Sequence, residues 1–402
     1  MIDSRKLVIL ALVAAVSVVL AVLVSTEGSG RRFSVHGPTY LVQGLEPMDV
    51  AIIRIGTGDK MVTIRRQGKD FVVENKDGYP ADNKAINGLL TNCMDIQTTE
   101  LVTSNPANHE DLGVTEQKAR SIVRFYKVVD GNEALITGVV VGNYREGGQG
   151  SYVRLANSND VYVATNIPWI RDSALDYVNQ ELLAVKTDQI VSVAVKGPSG
   201  QYTLKKRPST DTFEMVDLPE GKRLKEYDAR SVATAINSLR FDDVKRGPDP
   251  SLDFNRTYVA RLDDSTVYTL KIAKSDGKTF VTCQAEYTDT NQVVIDTTKK
   301  DSEEELKKKE AKLLAQEKVL KFAARHAGWI YEIPSWKANY ITKDVNDLLE
   351  ALPQPVKYVQ EPNEAVAEPS KALVPAGQTT EPNQLPDIAV PSDPSRQEPN
   401  QP

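Results

Sequence analysis

Cysteine and histidine are the scarcest chemistry-bearing residues of this 402-residue chain. Two cysteines exclude a disulfide scaffold and a four-cysteine zinc site. The three histidines, His36, His109 and His326, are scattered without triad or metal-ligand spacing. No G-x-x-x-x-G-K-S/T phosphate loop occurs, which excludes an ATPase of that class. The basic excess of a general nucleic-acid binder is also missing, because the formal net charge is −6. What the chain does have is apolar material. Hydrophobic residues make up 40%, enough to bury the cores of two or three domains of average size.

The two ends read differently from the body. Leu7 to Val24 holds no charge, proline or glycine. At a helical rise of about 1.5 Å per residue it matches the hydrocarbon thickness of a bilayer. Residues 1–24 are therefore expected to form a transmembrane signal anchor, the alternative being a cleaved secretory signal, whose apolar run is usually shorter. Residues 25–38 are polar and glycine-bearing, as a tether would be. Residues 352–402 contain eleven of the 22 prolines and carry most of the net negative charge, and Glu-Pro-Asn recurs at Glu361, Glu381 and Glu398. Such a tail is expected to be a disordered spacer, or a docking segment for a partner.

Between them the body reads twice. Val50 to Ile55 resembles Ile190 to Val195, and Thr63 to Arg66 resembles Thr203 to Lys206, at one common offset. Phe71 to Glu74 then matches Phe213 to Val216. Asp82 to Met94 and Asp228 to Arg240 follow as short amphipathic helices. Their apolar faces run Ile86, Leu89, Leu90, Cys93 and Val232, Ala235, Ile236, Leu239, with Asp82 and Asp228 as expected N-caps. The endings also correspond, since Trp169 follows Val161-Tyr162-Val163 and Trp336 follows Ile330 to Ile333. Leu182-Leu183 and Leu348-Leu349 come about a dozen residues later. Strand-like alternation predominates, broken at Asp130-Gly131 and Asp276-Gly277 as hairpin turns. This predicts an α+β class: two tandem repeats of a mainly antiparallel sheet with packed helices, over 39–187 and 188–351, preceded by one transmembrane helix. Each repeat is expected to finish with a helix.

The second repeat carries a charged insertion, Lys299 to Ala327, with Leu306, Leu313 and Leu320 every seven residues. It is expected to be a helix packed on its own domain by one narrow stripe, or else a protruding contact helix. The remaining motifs read as structure. Gly56-Thr57-Gly58 and Gly197 to Gly200 are turns between strands. Gly147 to Gly150 is a flexible or ligand-closing loop. Asp249 to Asn255 imitates a calcium loop but has Phe254 and Ala260 where glycine and glutamate are needed. Asp242-Asp243 and Asp263-Asp264 read as turn or helix-end carboxylates. Cys93 and Cys283 read as core residues, and His326 as a helix-end group favourable to the dipole. No catalytic, cofactor-binding or metal-ligating residue is assigned.

At Gly44-Leu45, Val50 to Ile55, Phe71, Tyr79 to Asp82, Asp111 to Gly113, Gly142, Tyr152 to Arg154, Val161 to Val163 and Leu182-Leu183 the chain resembles a bacterial envelope family, the domain of unknown function 4340. The second half departs from the pattern, with Lys225-Glu226-Tyr227-Asp228 in place of Tyr-Pro-Ala-Asp. Members carry an amino-terminal anchor and are often encoded beside gliding-motility-type ABC transporter subunits. The resemblance thus implies a non-enzymatic, single-pass protein of the bacterial cytoplasmic (inner) membrane. Most of the chain would lie outside the cytoplasm, serving as a scaffold or accessory subunit of an ABC-type transport complex beside its permease subunits. A free-standing envelope module for a glycan, peptide or cell-wall component is the alternative. Neither reading calls for a cofactor or nucleic acid.

Overall fold

A computed structural model describes residues 39–291 and 302–352. The expected anchor at 1–24, the tether at 25–38 and the tail from 353 lie outside the described residues, as do the first three positions of the 299–327 insertion. Among the described residues no helix is long and apolar enough to cross a membrane.

The first part of the chain forms β1 (Thr39–Tyr40), β2 (Ile52–Ile55), β3 (Val62–Gln67), β4 (Asp70–Val73), β5 (Tyr79–Pro80), helix α1 (Asn83–Met94), β6 (Gln97–Thr103), β7 (Ser121–Val129), β8 (Asn132–Tyr144), β9 (Ser151–Leu155) and β10 (Val161–Ala164). Strand β11 (Glu181–Leu183) leads into β12 (Ile190–Gly197), β13 (Gly200–Lys206), β14 (Phe213–Met215), β15 (Lys222–Leu224), helix α2 (Glu226–Ala233), β16 (Leu239–Arg240), β17 (Asp243–Arg246), β18 (Arg256–Leu262), β19 (Thr266–Ser275) and β20 (Lys278–Tyr287). Helix α3 (Glu303–His326), β21 (Trp329–Ile333), α4 (Ser335–Ile341) and β22 (Leu349–Ala351) complete it.

Every recorded strand pair is antiparallel, so the class is α+β with mainly antiparallel sheets. The first sheet runs β1-β6-β10-β9-β8-β7-β2-β3-β4-β5, and the second runs β17-β21-β20-β19-β18-β12-β13-β14. Without β1 and β5, the eight strands of the first sheet follow the order of the second, strand for strand. The alternation is plain in β3, where Val62 and Ile64 are buried while Thr63 and Arg65 face outward. It recurs in β19, where Leu270 and Ile272 are buried on either side of exposed Lys271.

The two helices that follow the opening hairpins differ in how they begin. The Asp82 carboxylate accepts the Lys84 N–H at 3.0 Å and caps α1, whose Ile86, Leu89, Leu90 and Cys93 are buried. Asp228 is not a cap. Helix α2 starts after Lys225, which makes no side-chain cap bond, and Asp228 sits in the first turn paired with Lys343. The helix also stops at Ala233. Ala235, Ile236 and Leu239 are buried in the turn and in β16 that follow. The expected closing helix of the first part is only a 3-10 turn, Ala174–Tyr177, whereas the second part has α4.

The two sheets belong to one compact unit and share a continuous core. Tyr79 at the edge of the first sheet is fully buried against Phe241, Trp329 and Tyr331, with ring centroids 5.7, 4.9 and 6.2 Å away. Lys76 pairs with Asp243 at 2.6 Å, and the Arg246 N–H donates to Asp77 at 2.9 Å. β11 pairs with β16. The halves are thus joined by aromatic packing, by charge and by a short ladder.

Candidate functional site

The residues that the sequence singles out for chemistry are mostly engaged in structure. Cys93 and Cys283 are free, buried thiols. Burial pushes Cys93 up to about 12 and raises Cys283 too, so neither supplies a thiolate. The His109 ring bonds the Asn159 carbonyl at 3.0 Å. His326 is buried at the end of α3, 2.7 Å from the Tyr331 hydroxyl, and burial lowers it to about 4. At neutral pH it is uncharged, so it does not complement the helix dipole as a cation. Asp249 accepts from Lys245 at 2.6 Å and from the Ser251 N–H at 2.9 Å, which lower it to about 2. The calcium-like loop is thus held by a lysine of the preceding strand β17. Among the described residues no three His, Cys, Asp or Glu side chains are grouped to hold a metal ion.

Two features stand apart from the packed body. The first is α3. Ser302 and Glu305 form a reciprocal capping box at its start. The buried stripe is Ala315, Val319 and His326, with Phe322 half-buried and edge-on to Tyr268 at 5.0 Å. The seven-residue leucine series does not pack. Leu306, Leu313 and Leu320, with Leu314, are exposed, Leu320 by 70%. At about 100° per residue the series lies on the face opposite the buried stripe.

The second feature is Trp169. It is 88% exposed, in a segment anchored immediately after it. Ile170 is buried, the Tyr177 hydroxyl donates to the Arg171 carbonyl at 2.8 Å, and Ser173 caps the turn that follows. The indole rises between two clefts. One, of about 570 Å³, lies against α1 and reaches Arg240. The other, of about 590 Å³, is bounded by Arg120, Tyr144, Ser151, Thr165 and Asp172. Tyr144 is exposed by 70%, and the Arg120 guanidinium covers one of its faces at 3.7 Å. Arg120 is itself fixed by bonds to the Gly142 carbonyl (2.6 Å) and the Ser151 hydroxyl (2.8 Å). The counterpart by sequence, Trp336, lies on a helix instead of a loop and is 58% exposed, with Lys337 Nζ 5.0 Å from its ring. Buried Lys337 donates to the Ala235 and Asn237 carbonyls at 2.9 and 2.5 Å, and burial lowers its pKa.

Glycines shape this region. Gly142 lies beneath the 104–120 segment, where a Cβ would come within 2.4 Å of the Leu112 carbonyl. Gly150, at φ +105, closes the floor of the Tyr144 cleft, and a Cβ there would meet the Ala164 carbonyl at 2.6 Å. Nothing in the sequence marked the Trp169 clefts, because Pro168-Trp169 reads equally well as a core residue after a turn.

Residues 72–253 match the model of the family described as Domain of unknown function (DUF4340). The match starts in β4 and ends just before β18, so it runs from the first sheet into the second. No curated protein and no solved structure matches the chain.

Proposed function

From the membership of residues 72–253 in the domain of unknown function 4340 family, we propose that the chain is a non-enzymatic accessory subunit of an ABC-type transport complex. It is held in the bacterial inner membrane by residues 1–24, with the body outside the cytoplasm. The two sheets are tandem copies of one unit, a reading supported by their common strand order. The observation that carries the scaffold role is α3. It is a 24-residue helix whose core work is done by one stripe, while four leucines face outward at helical spacing. Exposed leucines in such an array suit docking against a helix of a partner, here a permease subunit.

The test is affinity purification of the full chain from detergent-solubilised membranes, beside the double variant Leu313→Asp, Leu320→Asp. Permease and ATPase subunits should accompany the wild type and be lost from the variant. Thermal stability should stay within about 0.5 kcal/mol, because both sites are on the surface. Recovery of the same subunits with the variant would remove α3 from the interface, and their absence from the wild type would remove the transport role. Deleting residues 1–27 should release the chain from carbonate-washed membranes.

A further inference from the structure

Trp169 and Tyr144 are two flat, largely exposed aromatic side chains bordering one cleft. Tyr144 cannot turn freely, because Arg120 lies on one of its faces and is fixed by two hydrogen bonds. Trp169 stands between buried Ile170 and the ring of Pro168, so its backbone is set by packing on one side and by a constrained φ on the other. Aromatic groups presented in this way offer contact area at a small ordering cost.

The polar groups between them are of a particular kind. Arg120 supplies one guanidinium and Asp172 one carboxylate, and Asp172 makes no ion pair among the described residues. Ser151 and Thr165 add hydroxyls. The two charges balance, so the cleft has no excess that would hold a phosphate or a polyanion. A volume of about 590 Å³ falls in the range of small-ligand sites, roughly 300–1,000 Å³.

We propose that the cleft between Tyr144 and Trp169 binds a neutral oligosaccharide of two or three pyranose units. The C–H faces of the sugar rings stack on the indole and the phenol. The carboxylate of Asp172 and the open donors of Arg120 take pairs of ring hydroxyls. Gly150, at φ +105, lines the cleft with backbone and no side chain between the two rings. This site is separate from α3 and does not rest on the transport role.

The experiment is a titration of the full chain in detergent with maltotriose, cellotriose and fully N-acetylated chitotriose, and with inorganic phosphate as the anionic control. Binding is read from tryptophan emission and from calorimetry. At least one trisaccharide should shift the emission and bind, and phosphate should not. Trp169→Ala should abolish the shift and weaken binding by about tenfold or more. Asp172→Asn should weaken it several-fold with an unchanged melting temperature, and Trp336→Ala should leave it as in the wild type. The proposal is overturned if none of the three sugars binds, if the sugar still binds Trp169→Ala with wild-type affinity, or if phosphate competes for the site. Leu313→Asp, Leu320→Asp should bind the sugar normally, so loss of the permease and loss of the sugar are separate results.

Discussion

The two sheets share a strand order but are covered differently. On the first sheet, α1 covers one face. The 104–120 segment covers the other, over a small separate core of Val114, Ile122, Val140 and Val161. On the second sheet the equivalent connection between β17 and β18 is only residues 247–255, and among the described residues no second core forms there. Ala194, Thr203, Val216 and Val259 instead line a shallow cleft of about 470 Å³. The second sheet gains α3, which packs along β20. Strand order is thus the conservative part of this architecture. The layers above it are supplied by whichever loop or insertion can hide the exposed apolar positions.

The two halves are most easily disturbed together in the shared core. Leu90, in α1, and Ile236, in the turn after α2, are matched by sequence and both buried. Leu90→Asp and Ile236→Asp should each cost about 4 kcal/mol or more, since each buries an unpaired charge. Loss of folded protein in both variants is expected by circular dichroism, and tolerance of one alone would show that the two halves fold independently. Tyr79→Ala should cost about 3–4 kcal/mol, because it empties the cluster between the sheets. The wild type should melt in one calorimetric transition, and this variant should melt lower or in two steps.

A pH effect should separate the halves next. His326, at the end of α3 in the second half, falls from 6.5 to about 4 on burial. Its neutral form is favoured by folding, so its contribution is complete above pH 6.5 and is lost as the pH falls towards 4. The loss should reach about 2–3 kcal/mol. In His326→Gln the urea midpoint should show a flatter slope over that window, and an unchanged slope would assign the effect elsewhere. The smallest difference is at the helix starts. Asp82→Ala should cost about 1 kcal/mol by loss of the α1 cap, whereas Lys225→Ala, at an α2 start with no side-chain cap, should be nearly neutral in thermal melts.

How much of this was legible depended on whether the signal was local. Strand alternation, the α1 face and its Asp82 cap are set within a few residues of each other and stand in the sequence. The role of Asp228 was not legible. An aspartate in the first turn is favourable whether or not it caps, and its partner Lys343 lies 115 residues away. On α3 the leucines drew attention, yet the sheet took the stripe of Ala315, Val319 and His326. Which face of an isolated helix turns inward depends on the surface it meets, and sequence spacing alone does not contain that surface. Trp169 failed for a related reason: an indole after a proline looks the same in sequence whether it is buried or displayed.

Tyr79 also ties the integrity of one sheet to that of the other. A residue at the rim of one sheet has become an interior residue of its neighbour. Removing the first sheet alone would leave Phe241, Trp329 and Tyr331 facing water, and removing the second would do the same to Tyr79. The two sheets therefore stand or fall as one hydrophobic unit.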